Sequence, residues 1–322
     1  SVGSSTRTVY SSMNVVVIGA GLSGLMAAQS LQAQGHKVLV VDKGRSVGGR
    51  LATRRIGTAT LDHGAQFFTV RSEEFAKHVD AWLQQGVVRE WCKGFATADG
   101  HSRFVGVGGM NAIAKHLATS LEVRCNTLAF AIERGATTAW RLKIDDGSFI
   151  DADSLIVTCP IPQAYALLVT ANVQPPDELL ATEYHRTLGL LATLDAPPNV
   201  TTPGGMQDPD DTFSFVADNQ AKGLSETPAI TLNANNAFSL QYWDYPPEAI
   251  HAMLIERAKP WLGTANIVES QVKRWRFATP ATIWPDRCWH TEQLVLAGDA
   301  FGGPKVEGAA LSGLAAAKAL SE

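Results

Sequence analysis

Cysteine is scarce in this chain. The four present, Cys92, Cys125, Cys159 and Cys288, are scattered, with no C-x-x-C pair and no spacing that would gather metal ligands. No metal site or dithiol centre is therefore expected, and the thiols read as reduced and buried, in an intracellular protein. Also missing is any window of the ~18 consecutive apolar residues that a membrane-spanning helix needs. Runs of like charge are absent too: 27 Lys and Arg stand against 31 Asp and Glu, for a formal net charge of -4. Without a basic stripe, nucleic acid is not an expected partner. There is no internal repeat. What the chain does have is a 45% hydrophobic content over 322 residues, enough to bury the core of one large domain or two interlocked ones.

The first twelve residues, Ser1 to Ser12, are rich in Ser and Thr and carry no acid. They fit an expression remnant, a native disordered extension or the end of a transit peptide, and Met13 reads as a natural start. A cytoplasmic location is expected, or a plastid one if the transit-peptide reading holds. From Asn14 to Ile18 a run with three valines predicts a strand buried on both faces. A helix is expected from Leu22 to Gln34, with Leu25, Ala28 and Leu31 on one face and Gly35 as its stop. A second buried strand follows at Lys37 to Val41. Further on, the pattern predicts helices over Glu73–Gln85 and Met110–Ser120, a hairpin turning at Asp146-Gly147, and a buried strand over Ser154–Thr158. Between Pro160 and Ile283 prolines pair and tryptophans gather, with strand-like runs at Ala229–Leu232 and Ser239–Trp243. The first pattern then returns as a strand, Gln293–Ala297, and a helix rich in small residues, Gly308–Leu320.

These signals predict an α/β chain: a Rossmann-type nucleotide domain built from both ends of the sequence, and a second, mixed and mainly antiparallel domain. The expected division assigns residues 13–70, 100–160 and 285–322 to the first and 71–99 and 161–284 to the second, with 1–12 as an extension. The chemistry is concentrated in the first. Gly19-x-Gly21-x-x-Gly24 sits between a strand and a helix, where the glycines permit a tight turn, approach to a pyrophosphate and close helix–strand packing. The helix start offers free N–H groups and a positive dipole to an anion. Asp42, ending the second strand, is placed to accept from ribose hydroxyls.

That fingerprint alone does not separate FAD from NAD. Gly48-Gly49-Arg50 favours FAD, because two glycines let the chain reach the pyrophosphate and Arg50 can neutralise it. Leu61-Asp-His-Gly-Ala-Gln66 puts small residues where a flat ring could lie. Gly298-Asp299 ends a strand, so Asp299 could meet a ribityl hydroxyl, and the helix at Gly308 could stabilise charge at the N1–C2=O edge of a flavin. Gly106-Val-Gly-Gly109 lacks a preceding buried strand and reads as a plain loop.

Taken together, these motifs resemble the amine-oxidase-like flavoprotein superfamily, and within it the renalase-like branch. The resemblance is carried by Gly48–Arg54, Asp62–Thr69, Arg274–Pro280 and Gly298–Gly313. It implies a two-domain fold, non-covalent FAD, and a substrate held over the flavin. Bacterial members oxidise wrongly reduced isomers of nicotinamide dinucleotides to NAD(P)+ and pass the electrons to oxygen, giving hydrogen peroxide. In such a reaction positioning carries most of the work. One stretch departs from the branch: Asn233 stands where a His is expected and Phe238 where a Trp is expected. The amine oxidases of the superfamily commonly use a Lys that holds water near flavin N5, and the strands from Ala229 to Trp243 contain none.

The candidate cofactor contacts are Gly19, Gly21, Leu22, Ser23, Gly24, Asp42, Lys43, Gly49, Arg50, Gly64, Ala65, Gln66, Leu128, Gly298, Asp299, Val306, Glu307 and Gly308. Candidates for catalysis are His63, Gln66, Asn233 and Trp243, with Tyr242, Trp243, Trp275 and Trp284 as possible pocket walls. The expected partners are a small-molecule or dinucleotide substrate and molecular oxygen. The leading expectation is an FAD-dependent oxidase; the alternatives are an amine oxidase or dehydrogenase with another substrate, and a flavin-binding redox sensor without turnover.

Overall fold

The computed structural model describes residues 11–322. Residues 1–10, most of the extension set aside above, lie outside the described residues. A six-stranded sheet runs in the order Trp289–Thr291, Leu294–Leu296, Ser154–Val157, Asn14–Ile18, Lys37–Val41, Glu122–Arg124. All neighbours are parallel except the edge strand Trp289–Thr291. The valines of the first strand divide between two cores. Val15 and Val17 pack with Leu25 and Leu31 of the first helix on one side. Val16 and Ile18 face Ile132, Trp140 and Leu168 on the other. A strand buried on both faces is what an uninterrupted apolar run encodes in a parallel sheet.

A hairpin and a third strand cover one side: Ala129–Arg134, Trp140–Ile144 and Phe149–Ala152, all antiparallel. The first helix, Leu22–Ala33, packs along the C-terminal helix, Lys305–Ser321. Small residues make this possible, since a Cβ built at Gly313 would stand 2.1 Å from the Ser23 carbonyl oxygen. Both ends of the chain therefore meet beside one sheet. The C-terminal helix begins at Lys305, earlier than the glycine at 308 suggested, with Pro304 as its extended N-cap.

The remaining large sheet is antiparallel and five-stranded: Gly205–Gln207, Phe213–Asp218, Ala229–Ala234, Tyr184–Leu194, Ile267–Pro280. One face buries Leu188, Leu190, Ile230 and Leu232 against the helix Pro247–Leu262. The other face turns toward the nucleotide half, where Leu191 and Ala229 pack on Ile56, Ala59 and Leu61. This second face is the one that matters for function. The Ser239–Trp243 run is not a strand. Asn235 accepts from the Phe238 amide at 2.9 Å and caps a helix, Asn236–Tyr242. All four cysteines are free thiols. No helix among the described residues is long and apolar enough to cross a membrane.

Candidate active site

The glycine loop lies at the C-terminal end of the first strand, between it and Ser154–Val157, where the strand order reverses and such sheets place ligands. A Cβ at Gly24 would stand 2.0 Å from the Gly19 carbonyl oxygen, so only glycine lets helix and strand approach this closely. Gly21 differs: a Cβ there meets nothing within 4 Å and projects into open space at the helix start. No side chain caps that helix, so its first amides remain available. Ser23 Oγ, in the same turn, is buried without a partner. Asp42 accepts from the Ala20 amide at 2.7 Å and the Gly44 amide at 2.6 Å, which fixes its carboxylate against the loop. Gly48 docks on the same loop through its amide and the Ala20 carbonyl, 2.9 Å.

Arg50 and Asp299, expected at phosphate and at ribityl respectively, meet each other. The guanidinium is bidentate to the carboxylate at 2.7 and 2.8 Å and also donates to the Phe277 carbonyl at 3.2 Å. One ion pair thus ties together the GGR segment, the late GD segment and the strand that carries Trp275. Gly64 lies under this arrangement, since a Cβ there would stand 2.0 Å from the Arg50 carbonyl oxygen. The Ala65 amide donates to the same oxygen at 2.8 Å. Gly298 is bound through its amide to Ser312 Oγ at 2.8 Å, holding the strand end to the last helix.

Other expected cofactor contacts also hold structural places. Glu307 accepts from the Arg71 and Ser72 amides at 2.9 and 2.8 Å, so its carboxylate serves the start of the helix Glu73–Gln84. Gly308 is packed onto the Gly303 carbonyl. Leu22 and Val306 are buried, while Lys43 and Leu128 are exposed near the Asp42 end. The loop from Gly106 to Gly109 packs on Thr53, as a structural turn.

Facing the motif segments is the inner surface of the five-stranded sheet. Register places Phe215, Asn233, Gly189 and Lys273 side by side across four strands. Gly189 forms a notch, because a Cβ there would be 3.0 Å from Asn233 Oδ1 and 3.8 Å from Lys273 Cβ. Trp275, on the same face as Lys273, donates its indole N–H to the His63 carbonyl at 2.8 Å. Its ring stacks on the His63 imidazole, with centroids 5.4 Å apart. Gln66 donates to the carbonyls of Asp62 and Gly64 at 2.9 and 3.1 Å. Three polar atoms on these residues are buried with no partner among the described residues: His63 Nδ1, Gln66 Oε1 and Asn233 Oδ1. Buried polar atoms are nearly always satisfied, so a cluster of orphans marks a place built to receive a ligand.

The structure brings His63 and Gln66 to the sheet face that carries Asn233, but it does not bring Trp243 there. That ring lies in the core on the far side of the sheet, between the guanidiniums of Arg186 and Arg274 at 4.9 and 4.6 Å. Tyr242 packs there too, against Phe238 at 4.6 Å. Trp284 sits against the other core, beside Phe301. Of the four aromatics considered, Trp275 is the one that stacks on a motif residue. Lys273 was overlooked. The strand Ala229–Ala234 holds no lysine, but the edge strand Ile267–Pro280, two strands away across Gly189, brings one to the same face.

Burial, reinforced by the positive charges of Lys273 and Arg54, lowers the His63 pKa from its ordinary value to about 4. The imidazole is therefore neutral near neutrality, and its stability contribution has a definite sign. Between pH 6.5 and 4 the unfolded chain protonates this His while the folded chain does not. The contribution is complete above about 6.5 and is lost as pH falls toward 4, amounting to about 3 kcal/mol. Denaturant titrations of wild type and His63→Gln from pH 7 to pH 4 should show wild type losing that much more. Parallel losses would contradict the assignment.

A Rossmann dinucleotide cradle facing an antiparallel sheet, with unpartnered polar atoms where the two meet, defines a flavoprotein oxidoreductase. The comparisons agree. Residues 73–321 match the model of the flavin-containing amine oxidoreductases, and 17–84 match an NAD(P)-binding Rossmann-like domain. The chain belongs to the flavin-containing amine oxidoreductase family and is an enzyme of that family. It is similar to putrescine oxidase of Kocuria rosea, 40% identical over 67 residues, 21% of this chain and 14% of that one. It is likewise 42% identical over 52 residues to a 4,4'-diapophytoene desaturase of Staphylococcus haemolyticus, 16% of this chain and 10% of that protein. The chain thus matches only a small part of the length of these curated relatives. A putrescine oxidase structure shares the fold across 96% of this chain and 99% of the other, with a TM-score of 0.73 at 14% identity.

Proposed function

We propose that the chain holds FAD non-covalently and oxidises a reduced substrate of the dihydronicotinamide type, as the renalase-like motifs suggest, with oxygen as the final acceptor. Bound FAD would supply a two-electron acceptor that takes a hydride equivalent from substrate and returns the electrons to oxygen as hydrogen peroxide. The chain's residues fit that cofactor: open helix amides and Ser23 Oγ for pyrophosphate, Asp42 for ribose, and Gln66 Oε1 as an orphan acceptor in the segment expected against the ring system.

The observation that carries the substrate reading is Asn233. Among the described residues its side-chain amide has no hydrogen-bond partner, its Oδ1 is buried, and it borders the Gly189 notch. A carboxamide is the natural partner for such an amide, because each group donates and accepts once in a paired geometry. Trp275 and the neutral His63 add a flat wall. Neither needs to move a proton; they orient a planar ring and exclude water. A cationic amine finds little here, since Asp62 and Asp299 are both engaged in ion pairs.

Amine oxidation is the second reading, favoured by one observation: Lys273 lies on the sheet face where such enzymes hold a lysine. Oxygen uptake separates the two. Dinucleotide isomers reduced at the wrong ring position should sustain uptake and peroxide formation, while putrescine and benzylamine should not. Uptake with amines alone would overturn the proposal.

A further inference from the structure

Beside Asn233 stand cations that, among the described residues, have no carboxylate within ion-pair distance. Lys273 sits two strands from Asn233, across Gly189. Arg54 reaches the same region from the nucleotide half. In its hairpin it pairs with Leu61, Leu61 packs on Leu191, and Leu191 is paired with Gln271, two residues before Lys273 on the same face. Arg45, exposed, completes the group at the rim. Two acids of the site are committed elsewhere: Asp62 to Lys222 at 2.8 Å and Asp299 to Arg50 at 2.7 Å. Among the described residues, neither Lys273 nor Arg54 has a carboxylate within ion-pair distance, and neither donates a side-chain hydrogen bond. The cations are also close enough to act on one another and on His63: Arg54 and Arg45 push the half-buried Lys273 ammonium below its ordinary pKa, after burial itself. Like charges gathered without counter-ions on a half-buried surface cost stability unless an anion visits.

We propose that Lys273 and Arg54, with Arg45 at the rim, form an anion subsite beside the Asn233–Gly189 notch that takes a phosphate or pyrophosphate group of the substrate. The inference rests on the reading that this sheet face receives substrate, and it narrows the substrate class to phosphorylated molecules. Arg54 brings a planar fork and Lys273 a point charge, the combination suited to adjacent phosphate oxygens. The polarity has a consequence for selectivity: a diamine would meet repulsion where a phosphorylated molecule meets attraction.

Inorganic pyrophosphate is the direct probe. Titrated into the oxidised holoenzyme, it should perturb the visible flavin spectrum saturably, whereas putrescine should not. Lys273→Met and Arg54→Met should each weaken pyrophosphate about 10- to 100-fold, and Lys273→Arg should recover most of the loss. Flavin content should stay that of wild type in every variant. No saturable response in wild type, or equal affinity in the Met variants, would overturn the subsite. Loss of flavin from folded Arg54→Met or Lys273→Met protein would overturn it as well, by giving these cations to the cofactor's own phosphates. The hydride-transfer reading fails by a separate result, the absence of flavin bleaching by any dihydronicotinamide isomer, which leaves the pyrophosphate titration interpretable.

Discussion

Gly21→Phe protein is expected to purify colourless. The fold tolerates a side chain here, because the space beyond Gly21 Cα is open for 4 Å. That space is also where a pyrophosphate would sit against the uncapped start of the helix Leu22–Ala33. A phenyl ring would occupy it and screen the amides. The expected outcome is loss of essentially all bound flavin, with secondary structure by circular dichroism unchanged. Gly24→Ala offers a contrast: its Cβ would collide with the Gly19 carbonyl, 2.0 Å away, so it should destabilise the fold itself. Flavin at wild-type stoichiometry in Gly21→Phe would move the cofactor away from this loop.

Lys222→Met should be the most damaging change outside the cofactor cradle. Lys222 Nζ lies 2.8 Å from Asp62 Oδ2, and both side chains are 1% exposed. Asp62 Oδ1 accepts from Thr53 Oγ1 at 2.6 Å and the Met110 amide at 2.8 Å. The Asp62 carbonyl accepts from Thr231 Oγ1 at 2.9 Å and Gln66 Nε2 at 2.9 Å. Asp62 is therefore where the His63–Gln66 segment is fastened to the sheet that carries Asn233. Removing the ammonium leaves a buried carboxylate without a counter-charge, at a cost of about 3–5 kcal/mol. Urea unfolding of the holoenzyme measures it. Removing the charge from both, in Asp62→Asn with Lys222→Met, should cost less than the sum of the single changes, since neither group then sits uncompensated. A Lys222→Met midpoint within error of wild type would show that the pair fastens nothing.

The nucleotide half was readable because its signals are local. The valine run, Gly19 to Gly24, and Asp42 fall within one β-α-β unit, and the turn at Asp146-Gly147 announces its hairpin with Gly147 at a φ of 86°. The substrate side was harder for a physical reason. Ser239 to Trp243 contains residues common in strands, yet the Asn235 cap and the apolar face against the Pro247–Leu262 helix decide for a helix. The same difference moved Trp243 from the supposed pocket to the core. Lys273 could not be found from spacing, because its place beside Asn233 depends on the register of three strands joined by long connections. Arg50 with Asp299, and Asp62 with Lys222, are likewise products of tertiary approach. Arg50, Asp299 and Asp62 each stand in a recognisable motif and Lys222 in none, but in both cases the pairing itself is set only by folding.

In the proposed reading the Asn233 face presents a dihydronicotinamide ring to the flavin. Anaerobic rapid mixing of the oxidised holoenzyme with wrongly reduced nicotinamide dinucleotide isomers tests it most directly. Fast, complete bleaching of the oxidised flavin band by at least one isomer is expected, at least about tenfold slower in Asn233→Leu, with no bleaching by putrescine. Bleaching by putrescine with none by any isomer would contradict it.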